Sequence, residues 1–122
     1  MAAHLDPSGR KRAAVRRLYE EVDVVLSPMA GVTDRVFRAV CREHGAQLTW
    51  CEFVSANGVL HGNPASFDLM ELAEDEHPVG IQLFGSEPEV LARAARTAQD
   101  VGPDLIDLNF GCPVKKVVKR NG

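Results

Sequence analysis

The feature that most constrains the fold is an alternation of short apolar segments with helix-like segments along most of the chain. The apolar segments are rich in β-forming residues and lack a regular polar alternation, which favours strands buried on both faces. Strands of this kind, separated by helices, are typical of a parallel sheet. We therefore predict an α/β protein with strands at residues 24–28, 48–53, 79–85 and 105–109.

Two helices are predicted in the first part of the chain. A helix-like stretch covers residues 10–22, and its arginines indicate a solvated basic face. A second helix begins at Thr33 or Asp34, either of which can cap it, and ends at Gly45, which suits a left-handed stop. Its buried side is predicted from apolar residues one turn apart, which are Val36, Phe37, Val40 and Cys41.

The pattern after the second strand is weaker. Residues 55–58 have the composition of a turn, and residues 65–72 form a weaker helical stretch. The acidic residues 74–76 indicate a solvated loop.

The helix after the third strand is better defined. Ser86 and Glu89 have the spacing of a capping box, and Gly102 ends the segment. Between them the apolar residues keep a helical period, at Val90, Leu91, Ala94, Ala95, Ala98 and Val101.

A closed barrel explains the pattern better than an open nucleotide-binding sheet. The first strand is not followed by a G-x-G-x-x-G run, and Ser86 stands where a P-loop needs lysine. In a barrel, the carboxyl ends of the strands share one pocket. The residues that would line it are Ser27, Pro28, Glu52, Gln82, Asn109 and Cys112.

The length of the chain bounds how much of that barrel is present. A (β/α)₈ barrel takes about 250 residues, and the chain has 122. We therefore predict a helical extension at residues 1–23 and the N-terminal half of a TIM barrel at residues 24–122. The first and last strands would be open edges, so we expect self-association.

Composition excludes several classes of protein. The longest apolar runs are far shorter than the roughly 20 residues of a membrane span. We expect no secretory signal, because no apolar stretch follows the basic residues near the N-terminus. Neither cysteines nor histidines have zinc spacing, so no metal is assigned, and the separated cysteines favour a reducing compartment such as the cytoplasm. We expect Cys41 and Cys51 to be buried apolar residues.

Three residues at the predicted strand ends could carry chemistry. Cys112 lies in a loop after a strand, between a glycine and a proline, where barrels place catalytic groups. Asn109 could bind a ligand through its amide or simply bond the turn backbone, and its position leaves both open. Gln82 stands in an apolar strand and needs an amide-like partner.

Four runs of the sequence carry a family resemblance. They are LSPMAGVTDRVFR at 26–38, EFVSANG at 52–58, VGIQLFG at 79–85 and DLNFGCPVKKV at 107–117. In order and spacing these runs resemble the motifs of the tRNA-dihydrouridine synthases, and the resemblance extends from about residue 24 to residue 122.

The resemblance implies an oxidoreductase that reduces uridine to dihydrouridine in tRNA, with FMN as cofactor and NADPH as reductant. It implies that Asn109 holds the uracil and that Cys112 is the proton donor. The cofactor contacts that it implies are Pro28, Met29, Ala30 and Gln82. A basic cluster directly after the Cys112 run at 109–113 is the expected contact to the RNA backbone, at Lys115, Lys116, Lys119 and Arg120.

The sequence is also compatible with two other interpretations. One is a different FMN barrel, of the dihydroorotate dehydrogenase type, although the MAGVTD run argues against it. The other is an inactive fragment that self-associates, since half a barrel would offer only half of the contacts to FMN.

Overall fold

A computed structural model describes residues 9–112 of the chain. The helices are α1 (Arg10–Glu21), α2 (Arg35–Glu43), α3 (Ala56–Leu60), α4 (Pro64–Leu69) and α5 (Pro88–Gln99). The strands are β1 (Val25–Leu26), β2 (Leu48–Trp50), β3 (Val54–Ser55), β4 (Val79–Phe84) and β5 (Leu105–Asn109). Helices thus separate successive strands, apart from β2 and β3.

All strand pairs in the sheet are parallel. β1 pairs with β2, β2 pairs with β4, and β4 pairs with β5 along the whole length of β5. The short β3 also pairs with β4, further along the edge that β2 occupies. Thr49 pairs with Val79 and Val54 pairs with Leu83, so the segment from β2 to β3 has one residue more than the facing part of β4. β2 and β3 are therefore one strand interrupted by a bulge. The predicted parallel sheet, which is part of an α/β barrel, is confirmed.

The main core lies between the sheet and the helices on its outer face. Alternate residues of β4 point into it and are fully buried, as the two-residue period of a strand requires. They meet one face of α5, which supplies Leu91, Ala94 and Ala98. The remaining buried members are Cys51, Val54, Ala56, Val59, Met70, Val79, Ile81 and Leu83.

A second, smaller core lies on the inner face of the sheet, at the amino ends of the strands. Leu48, Trp50 and Leu105 form it, and Leu18 and Val22 pack against them from α1 and its C-terminal cap. A Cβ on Gly80 would overlap the Trp50 ring, so only glycine fits beneath that ring. The inner face is therefore apolar at its amino end.

The predicted helix ends are largely confirmed. Asp34 caps α2, because its side chain accepts a hydrogen bond from the Phe37 amide. Gly45 and Gly102 have positive φ angles of 105° and 98° just after α2 and α5, as a left-handed stop requires. No helix within residues 9–112 is long and apolar enough to span a membrane.

Two local predictions are wrong because of the way helices begin. The capping box is absent: α5 begins at Pro88, a residue that fits the first helical turn, and this leaves Ser86 outside the cap. Residues 55–58 are not a turn, since Ser55 caps α3 and Gly58 lies within that helix. A Cβ at Gly58 would overlap the Ser66 hydroxyl, so a larger residue there would require that hydroxyl to rotate away.

Three burial predictions are also wrong. α2 turns its Arg38 face toward the loop before β4, which leaves the predicted apolar side exposed, by 69% at Val36 and 47% at Val40. The acidic loop is solvated at Glu74 and Asp75, as predicted, but Glu76 is only 3% exposed, because it pairs with Arg38. β1 is not fully buried, since Val25 is 42% exposed and Leu26 is half-buried, because the strand lies at the sheet edge and outside both cores.

Candidate active site at the carboxyl ends of the strands

Polar side chains occupy the inner face of the sheet beyond the small core. Gln82 of β4 lies opposite Asp107 of β5, and Asn109 lies two residues further along β5, opposite Phe84. Because side chains two residues apart share a face, Asp107 and Asn109 lie on the same face as Gln82. The structure thus brings together Gln82 and Asn109, two of the residues predicted for the site.

These three side chains form a chain of hydrogen bonds. Gln82 Nε2 donates to Asp107 Oδ2 at 2.6 Å, and Asn109 Nδ2 donates to Gln82 Oε1 at 3.1 Å. The amide-like partner predicted for Gln82 is therefore Asn109, together with the Asp107 carboxylate. We call these three side chains, together with the Gly111 backbone amide, the amide relay.

The amide relay continues into the loop that carries Cys112. The Gly111 backbone N–H donates to Asn109 Oδ1 at 3.0 Å, which closes a turn of the kind that asparagine side chains form. The Asn109 oxygen thus bonds the turn backbone, the structural role left open by the sequence, while its amide nitrogen faces Gln82. Cys112 lies half-buried directly after this turn and is a free thiol.

The turn after β1 lies at the same end of the sheet. Met29 N donates to Thr33 Oγ1 at 3.0 Å, and the Val32 and Thr33 amides donate back to Met29 O. Gly31 adopts a positive φ of 72°, and its N–H donates to the Glu52 carboxylate in the bulge between β2 and β3. In this turn Met29 and Ala30 are exposed, whereas Pro28 is half-buried.

A buried ion pair supports this turn from behind. Arg38 donates to the Thr33 carbonyl at 3.0 Å, to the Glu71 carbonyl at 2.8 Å and to Glu76 Oε1 at 2.8 Å. Arg38 and Glu76 are 1% and 3% exposed. The guanidinium therefore ties the turn after β1 to the loop before β4.

The two buried-cysteine predictions have different outcomes. Cys51 is fully buried in the main core, as predicted, whereas Cys41 is half-buried. Burial raises the pKa of the Cys51 thiol to about 11, although the nearby Arg38 guanidinium opposes the shift. Cys51 is therefore an inert core residue, and Cys112 is the cysteine at the polar end of the sheet.

Other predicted residues lie away from this site or outside the described part of the chain. The cluster Lys115, Lys116, Lys119 and Arg120 falls outside residues 9–112. His44, His61 and His77 are exposed, as predicted, and His77 Nδ1 lies 2.6 Å from Asp104 Oδ2. No group of three or more metal-binding side chains occurs among the described residues.

Comparisons with known proteins identify the family. The family model described as "Dihydrouridine synthase (Dus)" matches residues 25–122. The chain belongs to the dihydrouridine synthase family. It is 44% identical to the "Probable tRNA-dihydrouridine synthase" of Aquifex aeolicus over 103 residues, 84% of this chain and 32% of that protein. It is also 45% identical to tRNA-dihydrouridine synthase B of Xanthomonas campestris over 94 residues, 77% of this chain and 28% of that protein.

This member of the dihydrouridine synthase family thus spans about a third of the length of the curated relatives it matches. The family assignment confirms the resemblance found in the sequence. It gives no support to a dihydroorotate dehydrogenase type of barrel.

Sequence reasoning missed two residues of this candidate site. Asp107 precedes Asn109 by two residues on a predicted strand, and that spacing alone could have placed both side chains on one face. Arg38 gave no comparable signal, because its partner Glu76 lies 38 residues away in a run of acidic residues.

Proposed function

We propose that this chain is the N-terminal part of a tRNA-dihydrouridine synthase, which reduces uridine in tRNA to 5,6-dihydrouridine with FMN as cofactor and NADPH as reductant. The observation that carries the proposal is the amide relay next to Cys112, in a chain of the dihydrouridine synthase family. Relatives named tRNA-dihydrouridine synthase support tRNA as the substrate.

The residues at the strand ends fit a flavin. The turn after β1 exposes Met29 and Ala30, and two anchors, Thr33 and Glu52, hold its backbone amides. Gln82 lies on the inner face with one amide hydrogen left over after it bonds Asp107. Flavin rings carry carbonyl oxygens that accept such hydrogens. We therefore assign Pro28, Met29, Ala30 and Gln82 to cofactor binding.

The reaction adds one hydride and one proton across the C5–C6 double bond of uracil. Bound FMN, reduced by NADPH, would supply the hydride for C6. The proton for C5 would come from the Cys112 thiol, which becomes a thiolate and regains its proton from solvent. Asn109 would hold the uracil through its second amide hydrogen, since its first is donated to Gln82.

The protein must also hold the RNA around the target base. A uridine can reach the site only when it is turned out of its RNA context, which requires contacts to the flanking phosphates. We assign this role to Lys115, Lys116, Lys119 and Arg120, because they follow Cys112 closely in the sequence. A free thiol at the site fits a reducing compartment, and we place the enzyme in the cytoplasm.

A barrel completed from a relative tests the proposal. Residues 25–122 would replace the matching segment of the Aquifex aeolicus relative, and the chimera would be incubated with FMN, NADPH and unmodified tRNA. We expect retention of FMN on gel filtration and dihydrouridine in the tRNA by mass spectrometry. A chimera that folds and binds FMN but leaves every uridine intact would contradict the proposal. The parent relative, assayed in parallel, shows that the assay works.

A further inference from the structure

The amide relay has an end that the proposed mechanism does not use, namely the carboxylate of Asp107. This carboxylate accepts the 2.6 Å hydrogen bond from Gln82 Nε2. We infer that Asp107 is a positioning residue that fixes the orientation of the Gln82 and Asn109 amides, and through them the turn that precedes Cys112.

The two ends of the amide relay fix the direction of its hydrogen bonds. An ionised carboxylate can only accept hydrogen bonds, and a backbone N–H can only donate them. With Asp107 at one end and the Gly111 N–H at the other, each amide has a single orientation that leaves no donor facing a donor. Either amide reversed alone would place its nitrogen against another donor or its oxygen against another acceptor.

The fixed orientation determines what the site offers to a ligand. Gln82 and Asn109 each use one amide hydrogen within the relay and keep one more. Asp107 keeps its second oxygen, Oδ1, as an acceptor. The two spare hydrogens can each be donated to a carbonyl oxygen of a ligand, while the acceptor lies at the Asp107 end of the relay. The flavin pyrimidine ring and uracil both carry carbonyl oxygens, and this consequence for ligand choice rests on the proposed function.

Two substitutions at position 107 separate the relay from other roles of the carboxylate. Asp107→Asn removes the charge but keeps an oxygen that can accept from Gln82, and the Gly111 end still dictates the direction. Asp107→Leu keeps the branched side chain but removes the acceptor. The measurement is the NMR chemical shift, in the ¹⁵N-labelled chain, of the Asn109 side-chain amide and the Gly111 backbone amide. Both groups lie beyond the hydrogen bond between Asp107 and Gln82.

We expect both signals to keep their wild-type positions in Asp107→Asn and to move in Asp107→Leu, where Gly111 hydrogen exchange accelerates about fivefold. Equal displacement in the two variants would mean that the charge alone acts, and no displacement in either would mean that no relay exists. Both results overturn the inference. Urea unfolding verifies that each variant is folded. If Asp107→Leu does not fold, Gln82→Met takes its place, because it breaks the middle of the relay. We then expect Gln82→Met to displace the Asn109 and Gly111 signals.

Failure of the inference and failure of the proposed function give different results. The NMR signals report on the relay without any reaction. If the completed barrel forms dihydrouridine but the Asn109 and Gly111 signals do not respond to the substitutions at position 107 as expected, only the role of Asp107 is overturned. An intact relay in a completed barrel that reduces no uridine would overturn the proposed function alone.

Discussion

Arg38 and Glu76 form an ion pair of 2.8 Å whose side chains are 2% and 3% exposed. The same guanidinium donates to the carbonyls of Thr33 and Glu71. One buried charge therefore joins α2, the turn after β1 and the loop before β4. The pair is not fully satisfied within the described residues, since Arg38 Nε and Glu76 Oε2 have no hydrogen-bond partner there.

Arg38→Met is expected to destabilise the protein by about 3–5 kcal/mol, because it leaves the Glu76 carboxylate buried without a counter-charge. The free energy of unfolding in urea measures the effect. Arg38→Met combined with Glu76→Leu is expected to regain part of the loss, since it removes both buried charges. A double variant less stable than Arg38→Met would contradict this explanation.

The exposed pair Arg16–Glu20 provides the matched control. Its atoms approach to 2.9 Å, but the side chains are 81% and 58% exposed. Arg16→Met is expected to cost less than about 1 kcal/mol, because water screens an exposed pair. Equal losses from Arg16→Met and Arg38→Met would show that burial is not what makes the Arg38 pair important.

Because the Cys51 thiol is buried, we predict that the free energy of unfolding falls at alkaline pH. Its pKa is raised by burial from 9.0 to about 11, so the folded state favours the neutral thiol more than the unfolded state does. The resulting stability is full below pH 9 and is lost as the pH rises toward about 11, by roughly 2–3 kcal/mol in all. Urea unfolding at several pH values measures it. Cys51→Ala should remove this part of the pH dependence, and an unchanged slope would count against it.

Gly80→Ala is expected to destabilise the protein by about 1–3 kcal/mol, because the added methyl group would overlap the Trp50 ring. Trp50 is the one tryptophan of the chain, so its fluorescence should shift as the ring moves. Gly111→Ala is the control, since a Cβ there would meet no atom within 4 Å. A Gly80→Ala variant as stable as Gly111→Ala, with unshifted fluorescence, would disprove the close packing.

We propose that the isolated chain self-associates through its open sheet edges. Within residues 9–112, β1 pairs with β2 alone and β5 pairs with β4 alone. Val25 and Leu108 on these edge strands are 42% and 41% exposed. Light scattering is expected to show a mass that rises with concentration, and Val25→Lys should lower it. A monomer at every concentration would refute the proposal.

The sequence predicted the parts of the fold that depend on local pattern. The strand at Leu105–Asn109 and the caps at Asp34, Gly45 and Gly102 follow from apolar runs, capping side chains and glycines that permit positive φ. Predictions failed where distant residues decide. The apolar side of α2 is exposed because Arg38 binds Glu76, and the pattern of apolar residues in α2 does not reveal that partner.

Several residues of the candidate site were predicted from the sequence, but Asp107 and the hydrogen bonds that connect the residues were not. The structure confirms that Gln82 and Asn109 lie together, while the amide relay depends on the register between β4 and β5, which sets Gln82 opposite Asp107. Register is fixed by pairing between strands rather than within one. The roles of Asn109 and Cys112 in the reaction stay predictions.

Dihydrouridine formation by the completed barrel with Cys112→Ala tests the central claim most directly. Cys41→Ala is the matched control, because Cys41 is a second free, half-buried cysteine that lies on α2. We expect Cys41→Ala to form dihydrouridine and Cys112→Ala to bind FMN but lose at least about 10²-fold in rate, the usual contribution of a positioned general acid. Equal rates in the two variants would contradict the account.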